Sequence, residues 1–312
     1  KKFHRKTRAK RPNFYLLLPK NHSTILKLQT MAALWRREEG NPLNQQPIGV
    51  FDSGLGGLTA VRQLRRIMPS ENIIYFGDTS RVPYGNRSRD TILKYARQDM
   101  RFLRSFDLKA VVIACGTVSS NCLETLQAEN NIPVIGVVAP AVQRAAALTR
   151  NKRVGLVATR ASVRSGAYER MFHAMSPEVQ LFSKACPLFV PLVEEGRCRP
   201  GDRVIEQVAE EYLAELKDKG VDTLVLGCTH YPLLAEVIGQ VMGPEVALVD
   251  VGAESARAAL TLLTAQNAQA ERKAGAASFY TSDRAEDFER LASLFLQEDI
   301  TNQAREIDIS RY

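Results

Sequence analysis

TLVLGCTHYPLL, residues 223–234, sets an apolar run against a turn made of Cys228, Thr229 and His230, with Pro232 opening a helix. A near-continuous apolar run that feeds a short loop and a helix whose first turn tolerates proline is the pattern of a parallel strand buried on both faces. The loop then lies at the carboxyl end of a strand, where open α/β sheets bind ligands. Buried cysteines and satisfied structural histidines are common, so this stretch alone leaves a structural role open. Residues 110–121, AVVIACGTVSSN, repeat the device, with an apolar run that ends in Cys115, Gly116 and Thr117. Two thiols at the ends of two strands read as two half-sites that face one ligand from opposite sides.

Working outward, IGVFD (48–52), NIIYFGD (72–78), AVVIAC (110–115) and PVIGVV (133–138) are rich in Val and Ile and read as strands. TAVRQLRRIM and DTILKYARQDMRFLRSF carry apolar residues at three- and four-residue intervals, as amphipathic helices do. The pattern restarts with RVGLVAT (153–159), VQLFSKA (179–185), TLVLGC (223–228) and EVALVDVG (245–252). VIEQVAEEYLAELKDKG reads as a helix stopped by Gly220. This alternation predicts an α/β fold with two mainly parallel sheets of about four strands each, flanked by helices. The two cysteine loops then meet in the cleft between two domains. The polar run 266–275 reads as a loop. ASFYTS and DFERLASLFLQ supply a last strand and helix that pattern alone gives to neither sheet.

Charge and cysteines exclude several classes of function. The formal net charge is +8, but residues 1–30 hold nine Lys or Arg and no Asp or Glu, leaving a body with 33 basic and 34 acidic side chains. The basic balance belongs to the N-terminal segment, expected to be a solvated, disordered extension, and nucleic acid is not an expected partner. LLL at 16–18 is followed by Pro19, Lys20 and Asn21 instead of a longer apolar region, so no export signal is expected from it, and Met31 is a candidate natural start. No apolar run approaches the ~20 residues needed to cross a bilayer, so no membrane partner is expected. Cys115, Cys122, Cys186, Cys198 and Cys228 form an odd set without CxxC pairs, which favours free thiols in a reducing, cytoplasmic compartment. With four histidines in the chain, a zinc site built on Cys228 and His230 lacks partners, and no metal is expected.

Three further loops sit where a site requires them. DSGLGGLT (52–59) lacks the sixth-position glycine of a dinucleotide fingerprint, which would fall at Thr59, and has no Walker lysine, so Gly54, Gly56 and Gly57 signal close backbone approach. Asp52 and Ser53 lie at a strand's carboxyl end in the same layer as Cys115. GDTSRVPYGNRS (77–88) places Tyr84 and Gly85 where a phenol and backbone amides can hold a carboxylate. ACPLFVPLVEEG (185–196) reads as a proline-punctuated loop bearing Glu194 and Glu195.

FDSGLGGLT, FGDTSRVPYG, ACGTVSSN, SGAYER, ACPLFVPLVEEG and GCTHYPLL occur in an order that resembles the glutamate racemases of the cofactor-independent Asp/Glu racemase superfamily, from about Ile48 onward. The resemblance implies two pseudosymmetric α/β domains, no pyridoxal phosphate or metal, and interconversion of L- and D-glutamate for peptidoglycan synthesis. Together with the charge pattern, the expected division is a basic extension over 1–46, a first domain over 47–140 with 253–312, and a second over 141–252. Cys115 and Cys228 match the family's catalytic thiols, Cys115 as the base toward D-glutamate and Cys228 toward L-glutamate. Asp52, Glu194 and His230 match its assisting groups. Ser53, Tyr84, Gly85, Thr117, Thr159 and Thr229 match substrate-binding positions, to which Asp52, His230 and Gly116 are added. Some members respond to a cell-wall precursor that activates them. The residues leave the oligomeric state open, with a homodimer among the expectations.

Racemisation removes a proton from one face of Cα and returns one to the other, so two opposed acid/base groups in opposite protonation states solve the geometry. Each thiolate needs help, because a free cysteine titrates near 8.5. His230 stands two residues past Cys228, whereas no histidine follows Cys115, which leaves Asp52 to serve the first thiol. Asn121 with Glu124 resembles a helix-capping pair behind Cys115. Where the family normally has Asn, this chain has Gly116, so Gly116→Asn is expected to raise kcat/KM on glutamate about tenfold or more. Alternative readings are a related racemase acting on aspartate or another amino acid, or a catalytically weak binding or regulatory protein.

Overall fold

The computed structural model describes residues 42–312; the basic extension expected over 1–46, and Met31 with it, falls almost wholly outside the described residues. Short Val/Ile-rich runs become strands because both faces are covered, and β1 (Ile48–Asp52) and β2 (Ile73–Gly77) are buried at every position. They are followed by β3 (Ala110–Ile113), β4 (Val134–Gly136), β5 (Arg153–Ala158), β6 (Gln180–Ala185), β7 (Thr223–Leu226), β8 (Ala247–Asp250), β9 (Ala277–Thr281) and β10 (Ala304–Glu306). All pair in parallel, in one sheet of order β10-β9-β2-β1-β3-β4 and another of order β6-β5-β7-β8.

The strand order exposes the symmetry. Numbered within its own half, each sheet contains the order 2-1-3-4, so β1 corresponds to β5 and β3 to β7. Connections leave the first strand of each set toward one edge and the third toward the other, and the crevice at that switch point lies over the carboxyl ends of the two strands. The expectation of about four strands per sheet fails for the first, which has six, because β9 and β10 join it beside β2. β10, the sequence ARE, is three residues long and largely exposed, so it carries no apolar run to recognise.

Eleven helices cover the sheets among the described residues: α1 (Leu58–Ile67), α2 (Arg89–Leu103), α3 (Gly116–Glu129), α4 (Val138–Leu148), α5 (Arg160–Ser165), α6 (Ala167–Met175), α7 (Phe189–Glu194), α8 (Arg203–Asp218), α9 (Ala235–Met242), α10 (Val251–Ala265) and α11 (Ala285–Leu296). Side-chain caps start several of them, with Asp202 accepting from Val204 before α8 and Asp250 from Gly252 and Ala253 before α10. Gly220 ends the α8 turn at φ +63°, a conformation that suits glycine. The loop expected at 185–196 contains α7 instead; Pro191 sits in its first turn, where a missing N–H breaks no helical bond. Helix α10 carries the chain back to the first sheet and packs on both α1 and α4, with Gly252 close enough to Ala60 that an added Cβ would lie 3.3 Å from the Ala60 Cα. Among the described residues no helix is long and apolar enough to cross a membrane.

Candidate active site

Cys115 and Cys228 occupy equivalent places, just beyond the carboxyl ends of β3 and β7, the third strand of each sheet. Both are buried free thiols, 4% and 7% exposed. Their surroundings differ. Cys115 is the N-cap residue of α3, and its Sγ lies 3.4 Å from the Ser53 Oγ. Burial, and then the charge of Asp52, push its thiol up to about 12, against the pull of Ser53 and the Val118 amide. The Cys228 sulfur lies 3.8 Å from Nδ1 of His230, whose Nε2 is 3.0 Å from Oε1 of Glu194 at the end of α7. Burial pulls the imidazole down, but the bonds to Cys228 and Glu194 outweigh it and lift His230 to about 10. The result is one thiol beside a buried carboxylate and another beside an imidazolium.

Asp52 joins the two halves. It ends β1, 1% exposed, and accepts from the Gly54 amide at 2.9 Å through Oδ1 and from the Thr229 hydroxyl at 3.2 Å through Oδ2. Burial raises its carboxyl above the usual range, while His230 and these hydrogen bonds draw it back. Thr59 donates its hydroxyl to the Thr229 carbonyl at 3.0 Å, a second tie between the first-sheet loop and the second-sheet loop. Sequence reasoning missed Thr59, which looked like a failed nucleotide-fingerprint position. It also missed what the glycines of DSGLGGLT do. A Cβ on Gly56 would collide with the His230 ring and the Thr229 Oγ1, and one on Gly57 would lie 2.6 Å from the Asp52 Cβ. The close approach is to the protein's own side chains at this seam, and only glycine leaves the space.

A second cluster lines the same seam. The Thr117 and Thr159 hydroxyls are 2.9 Å apart, Thr159 caps α5, and a Cβ on Gly85 would lie 2.9 Å from the Thr159 Cβ. The structure therefore brings Asp52, Ser53, Gly85, Cys115, Gly116, Thr117, Thr159, Glu194, Cys228, Thr229 and His230 to one seam between the sheets. Tyr84 is the exception. Its ring is buried and its hydroxyl turns into the first half, to Asp78 and, at 3.2 Å, Asp99. Asn121 is not a cap. It lies inside α3 and donates to the Thr117 carbonyl at 2.8 Å, while Cys115 holds the cap position.

Gly116 corrects another expectation. A Cβ at this position would stand under 3.0 Å from the carbonyl oxygen of Gly227, a backbone atom that cannot rotate away. An asparagine cannot be added here without driving the two cysteine loops apart, so the expected tenfold gain from Gly116→Asn does not follow from this geometry. Among the described residues, no group of three or more His, Cys, Asp or Glu side chains is placed to hold a metal ion.

Residues 59–259 match the family model of the Asp/Glu/hydantoin racemases. The glutamate racemase of Geobacter metallireducens is 45% identical over 250 residues, covering 80% of this chain and 92% of that relative. The solved glutamate racemase of Francisella tularensis subsp. tularensis SCHU S4, in complex with D-glutamate, is 37% identical with a TM-score of 0.79, covering 86% of this chain and 100% of that one. The Escherichia coli glutamate racemase, solved with L-glutamate and the activator UDP-MurNAc-Ala, is 31% identical with a TM-score of 0.66, covering 81% of this chain and 94% of its own.

Proposed function

The chain belongs to the Asp/Glu/hydantoin racemase family and is an amino-acid racemase, and we propose that its reaction is the interconversion of L- and D-glutamate by two opposed cysteines. The observation that carries this reading is the pair of thiols at equivalent strand ends, each with a different charged partner. In the resting site Cys115 is the thiol, held neutral by burial beside Asp52, and Cys228 faces the His230 imidazolium that Glu194 orients. Cys228 removes the Cα proton from one face and Cys115 donates its own to the other; the reverse reaction begins from the exchanged states. Each thiolate then has its own support, His230 on one side and the Ser53 hydroxyl on the other.

The carbanion formed next to a carboxylate is unstable in water, so fixed donors in a dry cleft must carry much of the rate. Ser53, Thr117, Thr159 and Thr229 supply hydroxyls, and the Gly85 backbone supplies an amide for the substrate's carboxylates. D-glutamate made this way serves peptidoglycan synthesis, and a nucleotide-linked cell-wall precursor like the one bound to the Escherichia coli relative is the candidate activator. The Gly116–Gly227 contact favours one further substrate reading, a smaller acid such as aspartate, because it narrows the cleft at Cys115. The test is a circular-dichroism assay of the purified chain on L- and D-glutamate and on both aspartates, without added cofactor. Turnover of glutamate well above aspartate is expected; no turnover of either acid would overturn the reading.

A further inference from the structure

Behind the cleft, at the carboxyl end of β2, two carboxylates and one guanidinium are packed around the Tyr84 hydroxyl. Asp78 and Asp99 are both fully buried. Asp78 Oδ2 accepts from Arg81 Nε at 2.6 Å and from the Tyr84 hydroxyl, and its Oδ1 accepts from the Ser282 hydroxyl at 2.8 Å. Asp99 reaches in from the middle of α2, with Oδ1 3.0 Å from Arg81 Nη2 and Oδ2 3.2 Å from the Tyr84 oxygen. Arg81 is completed by Gln98 at 2.6 Å and lies over the Tyr95 ring at 4.3 Å.

The hydrogen count decides the protonation. Tyr84 has one hydroxyl hydrogen, and Asp78 takes it. The approach of Asp99 Oδ2 to the same oxygen is then a clash of lone pairs unless Asp99 brings a hydrogen of its own. A neutral Asp99 donating to Tyr84, which donates to Asp78, which pairs with Arg81, gives the Tyr84 hydroxyl and every carboxylate oxygen of the cluster a partner and leaves no net charge in the protein interior. Burial, followed by the charge of Asp78, pushes the Asp99 carboxyl well above its usual range in spite of Arg81 and Tyr84.

The cluster has a consequence for the site because of what it holds. Arg81 and Tyr84 belong to the segment 79–86, whose Gly85 abuts Thr159 of the opposite half and whose Val82 abuts Gly54. The Asp78 amide in turn donates to the Asp52 carbonyl at 3.1 Å. We propose that Asp78, Tyr84, Asp99 and Arg81 form a positioning cluster that keeps its proton on Asp99 and fixes the segment 79–86, and with it the Gly85 backbone, against the substrate cleft. The proposal rests on the glutamate racemase reading, and it makes these residues positioning residues that touch no substrate.

The experiment compares glutamate kinetics of the wild type with Asp99→Asn, Tyr84→Phe and Asp78→Asn. An asparagine at 99 is neutral, keeps an acceptor for Arg81 and places an N–H toward the Tyr84 oxygen, so kcat and KM stay within about twofold of wild type. Tyr84→Phe breaks the chain of donors and Asp78→Asn removes the charge that Arg81 needs; both raise KM about 3- to 10-fold with kcat within about twofold, the signature of lost uniform binding. If Asp78→Asn does not fold, Tyr84→Phe carries the test, because it deletes one oxygen and keeps the ring. A rise of KM in Asp99→Asn equal to that of Tyr84→Phe, or no rise in Tyr84→Phe, would overturn the proposal. A wild type that turns over no glutamate would overturn the substrate reading instead. Amide hydrogen exchange over 79–86 then decides the cluster, with faster exchange expected in Tyr84→Phe and wild-type exchange in Asp99→Asn. Equal protection in all three proteins would overturn it.

Discussion

The Gly227 carbonyl oxygen lies where a side chain on Gly116 would begin. The two cysteine loops thus meet glycine to glycine, and how closely they meet sets the distance between the thiols that must flank one carbon atom. Gly116→Ala, the smallest possible change, already forces the loops apart, and displacements of about 1 Å at a reacting centre cost on the order of 100-fold. Gly116→Ala and Gly116→Asn are therefore expected to lower kcat on glutamate by about 10- to 100-fold. Small-angle scattering should report a slightly more open molecule. A higher kcat/KM in Gly116→Asn would show that the loops yield and that the amide contributes a substrate contact.

The two-thiol mechanism predicts that Cys115→Ser and Cys228→Ser each lose racemisation by on the order of 10²- to 10⁴-fold, the usual contribution of a positioned acid or base. In deuterated solvent the wild type should place deuterium at Cα of the product enantiomer, since the proton returned comes from a thiol that exchanges with water. His230→Ala should impair the direction that begins at Cys228 more than the other in single-turnover measurements, because only Cys228 has the imidazole beside it. Full activity in either serine variant is the result that this mechanism cannot survive.

What was legible in the chain follows from what each residue is exposed to. Strands buried on both faces must be apolar throughout, so IGVFD and TLVLGC declared themselves and their loops with them. β10 escaped because an edge strand needs no apolar face, and α7 because Pro191 reads as a loop residue when its place in a first turn is unknown. The thiols, Asp52 and His230 drew notice because residues able to do chemistry stand out when they end apolar runs. Asp99 was not, because in DTILKYARQDMRFL one more charge on an amphipathic helix reads as part of its solvated face. Tyr84 was placed at the cleft by its loop, and only the position of Asp78 and Asp99 shows its hydroxyl turned inward.

At the opposite end of the first sheet, Lys109 and Glu71 make a buried ion pair, 2% and 3% exposed. Lys109 also donates to the Ala268 carbonyl at 2.9 Å, and Glu71 accepts from the Ala270 amide at 2.8 Å, so the pair anchors the polar loop 266–275 beneath the strands. Lys109→Met leaves a buried carboxylate without its cation, which costs about 3–5 kcal/mol. Denaturant unfolding should show this loss with an unchanged m-value, and glutamate turnover per folded molecule should be unaltered, because the pair lies at the amino ends of the strands. Lys109→Met combined with Glu71→Met should recover most of the stability. If the single variant is as stable as the wild type, the pair contributes nothing net.

His230 makes the stability of the whole molecule sensitive to alkali, and the sign follows from its two partners. Burial opposes the imidazolium, yet the bonds to the Cys228 sulfur and Glu194 hold the folded-state pKa at about 10, above the ~6.5 of an unfolded histidine. Between these values the folded protein keeps a proton that the unfolded chain has released. The stabilisation is therefore complete below pH ~6.5 and is lost as pH rises through about 10. His230→Gln retains a side chain able to bond Glu194 but has no such proton, so its melting temperature should fall less than that of the wild type across this window. Cys115 acts later, since its thiol, held at about 12, resists an ionisation that the unfolded chain undergoes near 8.5, and Cys115→Ser separates that contribution. Glutamate turnover that starts at Cys228 should hold across this window and decline only as pH rises through about 10, where the folded protein loses the imidazolium. Melting curves of wild type and His230→Gln that run parallel from pH 6.5 to 10 would mean that the ring is neutral in the folded protein, and that Cys228 draws its support from somewhere else.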